Sequence, residues 1–476
     1  MTKQFFGTDG IRARVGEFPM IPEFLVKLGM AAGRVLKQHQ PKARVVIGRD
    51  TRRSGHMIES ALEAGLSAVG VEVYLLGVMP TPGVAYLTRA FHAEAGIVIS
   101  ASHNPHYDNG IKFFGSDGAK LSDALEQAIE TTLSLYLSDR APPTLFDPEK
   151  IGPVKEVSDA AGRYIEFCKA STPYFFDLRP FKIILDCAHG ATYHIAPQVF
   201  EELGAEVILM GTSPDGLNIN ADYGSTSPQN LQKKVLLEKA DFGIAFDGDG
   251  DRVIMVDQAG QLVDGDEIVY LLAKDCLREG KFKSGGGVVG TLMSNFGLEQ
   301  ALAREKIPFV RASVGDRHVM MELKNRQWLL GGESSGHIIW LDSTTTGDGI
   351  VAALQVLTVM KKLQLSLREC LLGMTKVPQV LLNMPLNQKL SKEQLNLLED
   401  QAVLAQKKLN GKGRVLLRPS GTEPLLRVMV EGESLSVIET LAQELVKKLG
   451  DLLGVNSCVP LMMNEPHVCR KTTNMI

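Results

Sequence analysis

Three carboxylates alternate with glycines in Asp247-Gly248-Asp249-Gly250-Asp251-Arg252, directly after the apolar run Phe242 to Phe246. Glycine lets the backbone take tight dihedral angles, so alternate side chains can converge on one cation, and ligands bind at strand ends in α/β sheets. Hard oxygen donors of this kind select Mg²⁺ or Mn²⁺. A calcium EF-hand loop needs Gly at its sixth position and Glu at its twelfth, where Arg252 and Gln258 stand instead. The plain alternative is an Asp-Gly hairpin turn, but three unneutralised carboxylates this close would repel one another.

A second chemistry-bearing stretch runs from Ala95 to Phe114, where a strand-like apolar segment leads into Ser100-Ala101-Ser102-His103-Asn104-Pro105. A hydroxyl at a strand end sits on a rigid platform; Asn-Pro favours a turn, and Asn109-Gly110 opens a return strand that carries Lys112. Taken alone, Ser102 reads equally as a turn hydroxyl and His103 as a surface histidine. Beside a carboxylate metal site, a serine that carries phosphate is the economical reading, because the cation neutralises both it and the transferring group.

Arg418-Pro419-Ser420-Gly421-Thr422-Glu423-Pro424, with Arg427 beyond, offers two guanidiniums, two hydroxyls and a glycine-flanked amide, the makings of a phosphate clamp. In Gly331-Gly332-Glu333-Ser334-Ser335-Gly336-His337, glycines at both ends are expected to leave Glu333, Ser335 and His337 facing one space suited to sugar hydroxyls, with a capped turn as the alternative. Phe6-Gly7-Thr8-Asp9-Gly10-Ile11-Arg12 is a weaker signal, an ordinary turn in which Arg12 is able to bind phosphate. Gly48-Arg49-Asp50-Thr51-Arg52 reads as a strand end feeding a capped helix.

The elements that must position these groups alternate. Helix-like Phe24 to Leu36, a β run Arg44 to Gly48, helix Ser54 to Ala68 and β runs Val71 to Leu76 and Ala95 to Ser100 imply a mainly parallel sheet. After the Pro-containing stretch Ala141 to Pro153 the alternation resumes twice, from Lys182 to Phe246 and from Gly265 to Leu330. Past Lys376 the order becomes that of a smaller α+β domain. The expected fold is α/β: three similar domains with mainly parallel mixed sheets over 1–154, 155–256 and 257–370, a C-terminal α+β domain over 371–453, and a loose tail over 454–476.

A chain of 476 residues, at roughly 100–200 per domain, agrees with that count. With 51 Lys and Arg against 55 Asp and Glu, no net field draws nucleic acid or an acidic membrane, so any anion must be caught locally. Met1 to Gly10 lacks the apolar core of a signal peptide and no stretch reaches the ~18 apolar residues of a membrane span, which predicts a cytosolic protein. The six cysteines form no CxxC pair and read as reduced packing residues.

FGTDGIR, SASHNP with NGIK, DGDGDR, GGESSGH and RPSGTEP, in this order from about Phe5 to about Leu449, resemble the α-D-phosphohexomutase superfamily. The wording is nearest to its bacterial branch acting on glucosamine phosphates, notably in Ala245 to Asp257, Thr344 to Leu357 and Arg418 to Gly432. The resemblance implies four domains around a central cleft, Ser102 as a phosphoserine, and Mg²⁺ held by Asp247, Asp249, Asp251 and the serine phosphate. It assigns proton transfer or charge stabilisation to Lys112, His103, Arg12, Arg252 and His337. Sugar hydroxyls fall to Glu333 and Ser335, and the non-reacting phosphate to Arg418, Ser420, Gly421, Thr422 and Arg427. The implied reaction interconverts glucosamine 6-phosphate and glucosamine 1-phosphate through a bound glucosamine 1,6-bisphosphate, feeding UDP-N-acetylglucosamine and cell-wall precursors, in a monomer or homodimer. Lys112 is the first choice for proton transfer, with a pKa expected to fall beside a metal and arginines. Ala13, His189 and Ser334 depart from the branch's usual Gly, Asn and Gln or Asn. The rivals are a mutase of glucose or mannose phosphates, a phosphohydrolase using an Asp of DGDGDR as nucleophile, and a non-catalytic sugar-phosphate sensor.

Overall fold

The computed structural model describes residues 3–138, 147–282, 285–386, 388, 390–419, 425–454 and 461–462. One compact unit comprises Met1–Thr291 with Ile307–Leu372, and a second Leu292–Lys306 with Gly373–Ile476.

The first unit holds three sheets. In the first, β1 (Ile11–Arg14), β2 (Arg44–Arg49), β3 (Glu72–Val78), β4 (Ala95–Ile99), β5 (Asp108–Gly115) and β6 (Val154–Glu156) lie in the order β1-β5-β4-β2-β3-β6. β2 pairs in parallel with β3 and β4, whereas β5 runs antiparallel to β4 and β1. All five residues of β4 are buried, as expected of a central parallel strand covered on both faces. The second sheet contains β7 (Lys182–Asp186), β8 (Glu206–Met210), β9 (Phe242–Phe246), β10 (Val253–Asp257) and β11 (Leu262–Val263) in the order β11-β10-β9-β7-β8. The third contains β12 (Val288–Thr291), β13 (Phe309–Ala312), β14 (Leu330–Gly332) and β15 (Ile338–Trp340) in the order β13-β12-β14-β15.

The second unit is the α+β piece. β16 (Gln379–Pro385), β17 (Gly413–Pro419), β18 (Leu425–Gly432) and β19 (Leu461–Met462) pair antiparallel in the order β17-β18-β16-β19. Helices Lys392–Lys408 and Leu435–Leu453 bring Leu398, Ile438, Leu445 and Leu449 into one core with Met384, Leu426 and Val428. β19 lies in the stretch expected to be loose; the rest of that stretch beyond Gly454 is outside the described residues.

Some helices escape the alternation. Thr81–Ala90 begins inside Pro80-Thr81-Pro82-Gly83, which reads as a turn, yet proline in a first helical turn loses no hydrogen bond. Gly349–Leu363 is apolar nearly all round and buried along most of its length, so it shows little amphipathic period. The helix expected from Thr192 starts only at Ala196, because Ala191 donates its N–H to the Gly248 carbonyl at 2.8 Å and holds the preceding residues in turns.

Helices Pro22–His39 and Ser54–Ala68 cross closely through Gly29 and Gly65, where a Cβ on Gly65 would lie 2.2 Å from the Val26 carbonyl oxygen. Gly65→Ala therefore forces the pair apart, and a loss of about 1–3 kcal/mol is expected from overpacking. Urea titration followed by circular dichroism checks it; an unchanged midpoint would remove the close crossing from the account.

Candidate active site

β4 ends at Ile99, and the chain turns through Ser100 and Ser102 before returning along β5. Ser102 takes a left-handed φ of 51°, uncommon for a residue with a side chain, so its surroundings must hold it there. Its N–H donates to Ser100 Oγ at 2.9 Å, and Ser100 Oγ donates to Asp50 Oδ2 at 2.7 Å. Its carbonyl accepts from Arg52 Nη2 and from Asn220 Nδ2, each at 2.9 Å. Ser100 is thus committed to the scaffold. The Ser102 hydroxyl instead donates to Asp247 Oδ2 at 2.5 Å, across 145 positions of sequence.

Asp247, Asp249 and Asp251 follow β9 on a loop whose glycines are sterically required. A Cβ on Gly248 would lie 2.7 Å from the Ser102 carbonyl oxygen, and Gly250 has a φ of 71°. The three carboxylates are buried, one oxygen of each lying within 4.8 Å of the others. Asp249 Oδ1 and Asp251 Oδ1 are buried without a hydrogen-bond partner. Orphaned, desolvated oxygens in a cluster of three carboxylates fit a divalent cation, which would supply the missing positive charge. Burial, then Asp251 and Asp249, push the Asp247 carboxyl well above its usual range. Asp249 Oδ2 also accepts from Thr81 Oγ1 at 2.6 Å.

Lys112 Nζ lies 2.8 Å from Asp249, 3.4 Å from Asp251 and 3.5 Å from Asp9. Burial opposes its charge, but those carboxylates outweigh it and hold the ammonium well above its ordinary pKa. Among the side chains alone the acidic neighbours dominate, while Arg12 contributes only a smaller opposing effect. His337 sits 3.7 Å from both Asp251 and Asp316, at ion-pair rather than hydrogen-bond distance. Burial lowers its pKa, yet Asp251 and Asp316 outweigh burial and raise it to about 9. His103 behaves oppositely; burial first, then Arg252 and Arg12, lower it to about 4, and its Nδ1 is buried without a partner.

The other expected residues divide. Arg252 is partly buried, its Nε 4.0 Å from Asp251, and Arg12 is exposed and paired to Asp9. Glu333 accepts from the Gly315 N–H at 2.9 Å, whereas Ser335 on the same turn is exposed and His337 is buried. In the second unit Arg418 on β17 and Arg427 on β18 are directly paired positions, and burial with Arg427 nearby lowers the Arg418 pKa. Ser420, Gly421 and Thr422 fall outside the described residues.

Sequence reasoning missed Arg52. Fully buried, it pairs with Asp50 at 2.8 Å and donates to the carbonyls of Ser102, Asn104, Pro105 and Asp108, clamping the whole serine loop. The expected cap is absent: the helix starts at Ser54 behind Arg53, which has no side-chain cap. The missed signal was an Asp-x-Arg at a strand end facing an Asn-Pro loop, which nothing local distinguishes from a surface turn. Asn220, also missed, bonds the Ser102 and Asn104 carbonyls from the second α/β region. Cys168, Cys187, Cys276 and Cys370 are buried free thiols, in keeping with packing roles. Among the described residues no helix is long and apolar enough to cross a membrane.

A serine hydroxyl bonded to a buried carboxylate triad at the ends of α/β strands defines a phosphoryl-transfer class of site. Four consecutive stretches match phosphoglucomutase/phosphomannomutase descriptions: alpha/beta/alpha domain I over 3–137, domain II over 163–260, domain III over 264–377 and the C-terminal domain over 381–448. The chain belongs to this family, within the phosphohexomutase superfamily. It is 58% identical to a phosphoglucosamine mutase of Photobacterium profundum over 94% of this chain and 99% of that one. It is 55% identical to the phosphoglucosamine mutase of Aeromonas hydrophila subsp. hydrophila over the same shares. Among solved structures, a phosphoglucomutase/phosphomannomutase family protein of Burkholderia thailandensis matches with a TM-score of 0.77 at 22% identity, covering 97% of this chain and 100% of that one. An N-acetylphosphoglucosamine mutase of Aspergillus fumigatus, in complex with GlcNAc-6P and magnesium, matches with a TM-score of 0.68 at 17% identity, covering 95% and 96%. At these identities the two structures speak to fold alone.

Removing one of the three carboxylates should cost cation affinity directly. Asp249→Asn is expected to weaken Mn²⁺ binding by about tenfold or more, read by electron paramagnetic resonance, and unchanged affinity would take the triad out of metal binding. The depressed His103 sets a pH dependence of stability. Its folded pKa of about 4 lies below its ordinary 6.5, so the unfolded chain binds more protons between these values and stability falls as pH drops from 6.5 to 4. His103→Asn should flatten part of that fall in thermal melts; an identical pH profile would contradict the assignment.

Proposed function

We propose that the chain interconverts glucosamine 6-phosphate and glucosamine 1-phosphate, with Ser102 as the phosphate carrier and Mg²⁺ held by Asp247, Asp249 and Asp251. The observation that carries this reading is the 2.5 Å contact between Ser102 Oγ and Asp247 Oδ2 within the buried triad. The near-full-length identity to phosphoglucosamine mutases supports the amino sugar.

With Ser102 phosphorylated, the free C1 hydroxyl of glucosamine 6-phosphate attacks phosphorus. The O1–P bond forms as O1 gives up its proton, the P–Oγ bond breaks as Oγ takes one up, and glucosamine 1,6-bisphosphate results. The bisphosphate turns over, Ser102 Oγ gives up its proton and attacks the 6-phosphate, the P–O6 bond breaks as O6 is protonated, and glucosamine 1-phosphate leaves the regenerated phosphoserine. A bound divalent cation supplies Lewis-acid stabilisation of the transferring phosphoryl group.

The chain's own groups do the rest. Arg52 and Asn220 hold the carbonyl of Ser102 so that its Oγ stays aimed at the triad. Lys112, 2.8 Å from Asp249 and drawn toward its charged form by the surrounding carboxylates, stabilises charge beside the triad. His103, neutral near pH 7 with an unpartnered Nδ1, is the acceptor available for the attacking hydroxyl's proton. Arg12, Arg252 and His337 add positive charge for a phosphoryl group in flight. Glu333 and Ser335 are assigned to sugar hydroxyls. Arg418 and Arg427, with Ser420, Gly421 and Thr422, are assigned to the non-reacting phosphate.

Ser102→Ala should lose mutase activity by at least about a thousandfold, and the parent purified from cells should carry one phosphate on Ser102 and none on Ser100 by peptide mass spectrometry. Activity within a few-fold of the parent would sink the carrier role. Comparing kcat/KM on glucosamine, glucose and mannose phosphates decides the sugar, and glucosamine phosphates ranking below the other two would overturn the substrate.

A further inference from the structure

Lys120 does not touch the carboxylate triad, yet it is tied to it from two directions. It bonds Asp9 on one side and lies 2.6 Å from Asp316 on the other. Asp9 lies 3.5 Å from Lys112, Lys112 lies 3.4 Å from Asp251, and His337 completes the circuit at 3.7 Å from both Asp251 and Asp316. The six members come from distant places in the chain: Asp9 before β1, Lys112 on β5, Lys120 just after β5, Asp251 after β9, Asp316 at the start of helix Asp316–Arg326, and His337 before β15.

We propose that Lys120 is a positioning residue for phosphoryl transfer: by bridging Asp9 and Asp316 it closes a ring of alternating acids and bases that fixes Lys112 and His337 on either side of Asp251. The inference rests on the mutase reading for its consequence in catalysis. Without Lys120, Asp9 is left with Arg12 and Lys112 and draws more strongly on Lys112, which is then pulled from its 2.8 Å contact with Asp249. Asp316 keeps the Arg317 N–H at 2.7 Å and the more distant His337, and two carboxylates face each other across the position the ammonium had filled.

A purely structural role, gluing the segment after β5 to the third α/β region, is the competing explanation. That junction has other ties. Thr345 Oγ1 donates to the Gly118 carbonyl at 2.7 Å, Arg317 Nη2 to the Leu121 carbonyl at 3.0 Å, and Arg317 Nη1 to Glu126 at 3.2 Å. The segment therefore stays docked when Lys120 is neutral, and the effect of removing it falls on the site.

The test is a double-substitution cycle on the full-length protein with Lys120→Met and Asp316→Asn. Lys120→Met should lower kcat by about tenfold or more, the size typical of residues that orient metal-site groups, with KM for glucosamine 1-phosphate nearly unchanged. Lys120→Arg should restore most of kcat, because a guanidinium can bridge two carboxylates. Added to Asp316→Asn, Lys120→Met should cost little more, since the ring is already open. A kcat within twofold of the parent, or losses that multiply in the double variant, overturns the proposal. The same cycle read on Mn²⁺ affinity needs no turnover. The ring requires a shift of at least about threefold from Lys120→Met that vanishes in the Asp316→Asn background. No shift, or an equal shift in both backgrounds, refutes it. Should the parent fail to interconvert glucosamine phosphates, the mutase reading falls while the Mn²⁺ cycle still decides the ring.

Discussion

Three carboxylates buried within reach of one another beside a serine hydroxyl carry a large desolvation cost unless positive charge is brought to them. Much of the first unit answers that demand. Lys112 reaches the triad from β5, Arg252 from the loop itself and His337 from the turn before β15. Even so, two carboxylate oxygens remain without hydrogen-bond partners, so the protein's own cations leave an opening for one more. An acidic cluster both held together and incompletely satisfied is suited to bind a divalent ion next to a group it must repeatedly neutralise.

The second requirement is rigidity at the hydroxyl. Ser102 adopts a backbone conformation that few side-chain-bearing residues choose, and it does so at the end of a fully buried strand. Arg52 and Asn220 converge on its carbonyl while Ser100 holds its N–H, so the loop's peptide groups are tied down and the hydroxyl points to the triad. The closeness of Gly248 to the same carbonyl makes the serine loop and the metal loop mutually dependent, since a side chain at Gly248 would push one away from the other.

The same structural device serves three sheets. β4 delivers the serine, β9 the acidic triplet, and β14 the turn bearing Glu333 and His337, each at a strand end where loops are held by a buried scaffold. Helix starts fill in around them: Thr81 bonds Asp249, and Asp316 faces His337 and Lys120. This division places each chemical role on a separate rigid element and leaves the sheets free to be ordinary apolar cores.

Much of this was legible from the chain alone. The triplet of DGDGDR announces itself because alternate carboxylates separated by glycine have few uses other than a cation, and SASHNP stands out because an apolar strand runs straight into hydroxyls and Asn-Pro. The hydrophobic period marked helix Ser54–Ala68, which has a solvated face, and gave no mark of Gly349–Leu363, which is buried nearly all round. The charge state of Lys112 was not readable, because it depends on Asp9, Asp249 and Asp251, which lie up to about 140 positions away and whose distances only folding sets. Nor was the clamp of Arg52, an arginine that local pattern gives to solvent and that the tertiary structure buries completely. Residue types and local spacing determine which chemistry is available, because bonding capacity belongs to the side chain. Which groups meet, and in what charge state, was decided by tertiary packing, because electrostatic energy and desolvation depend on distance in space rather than along the chain.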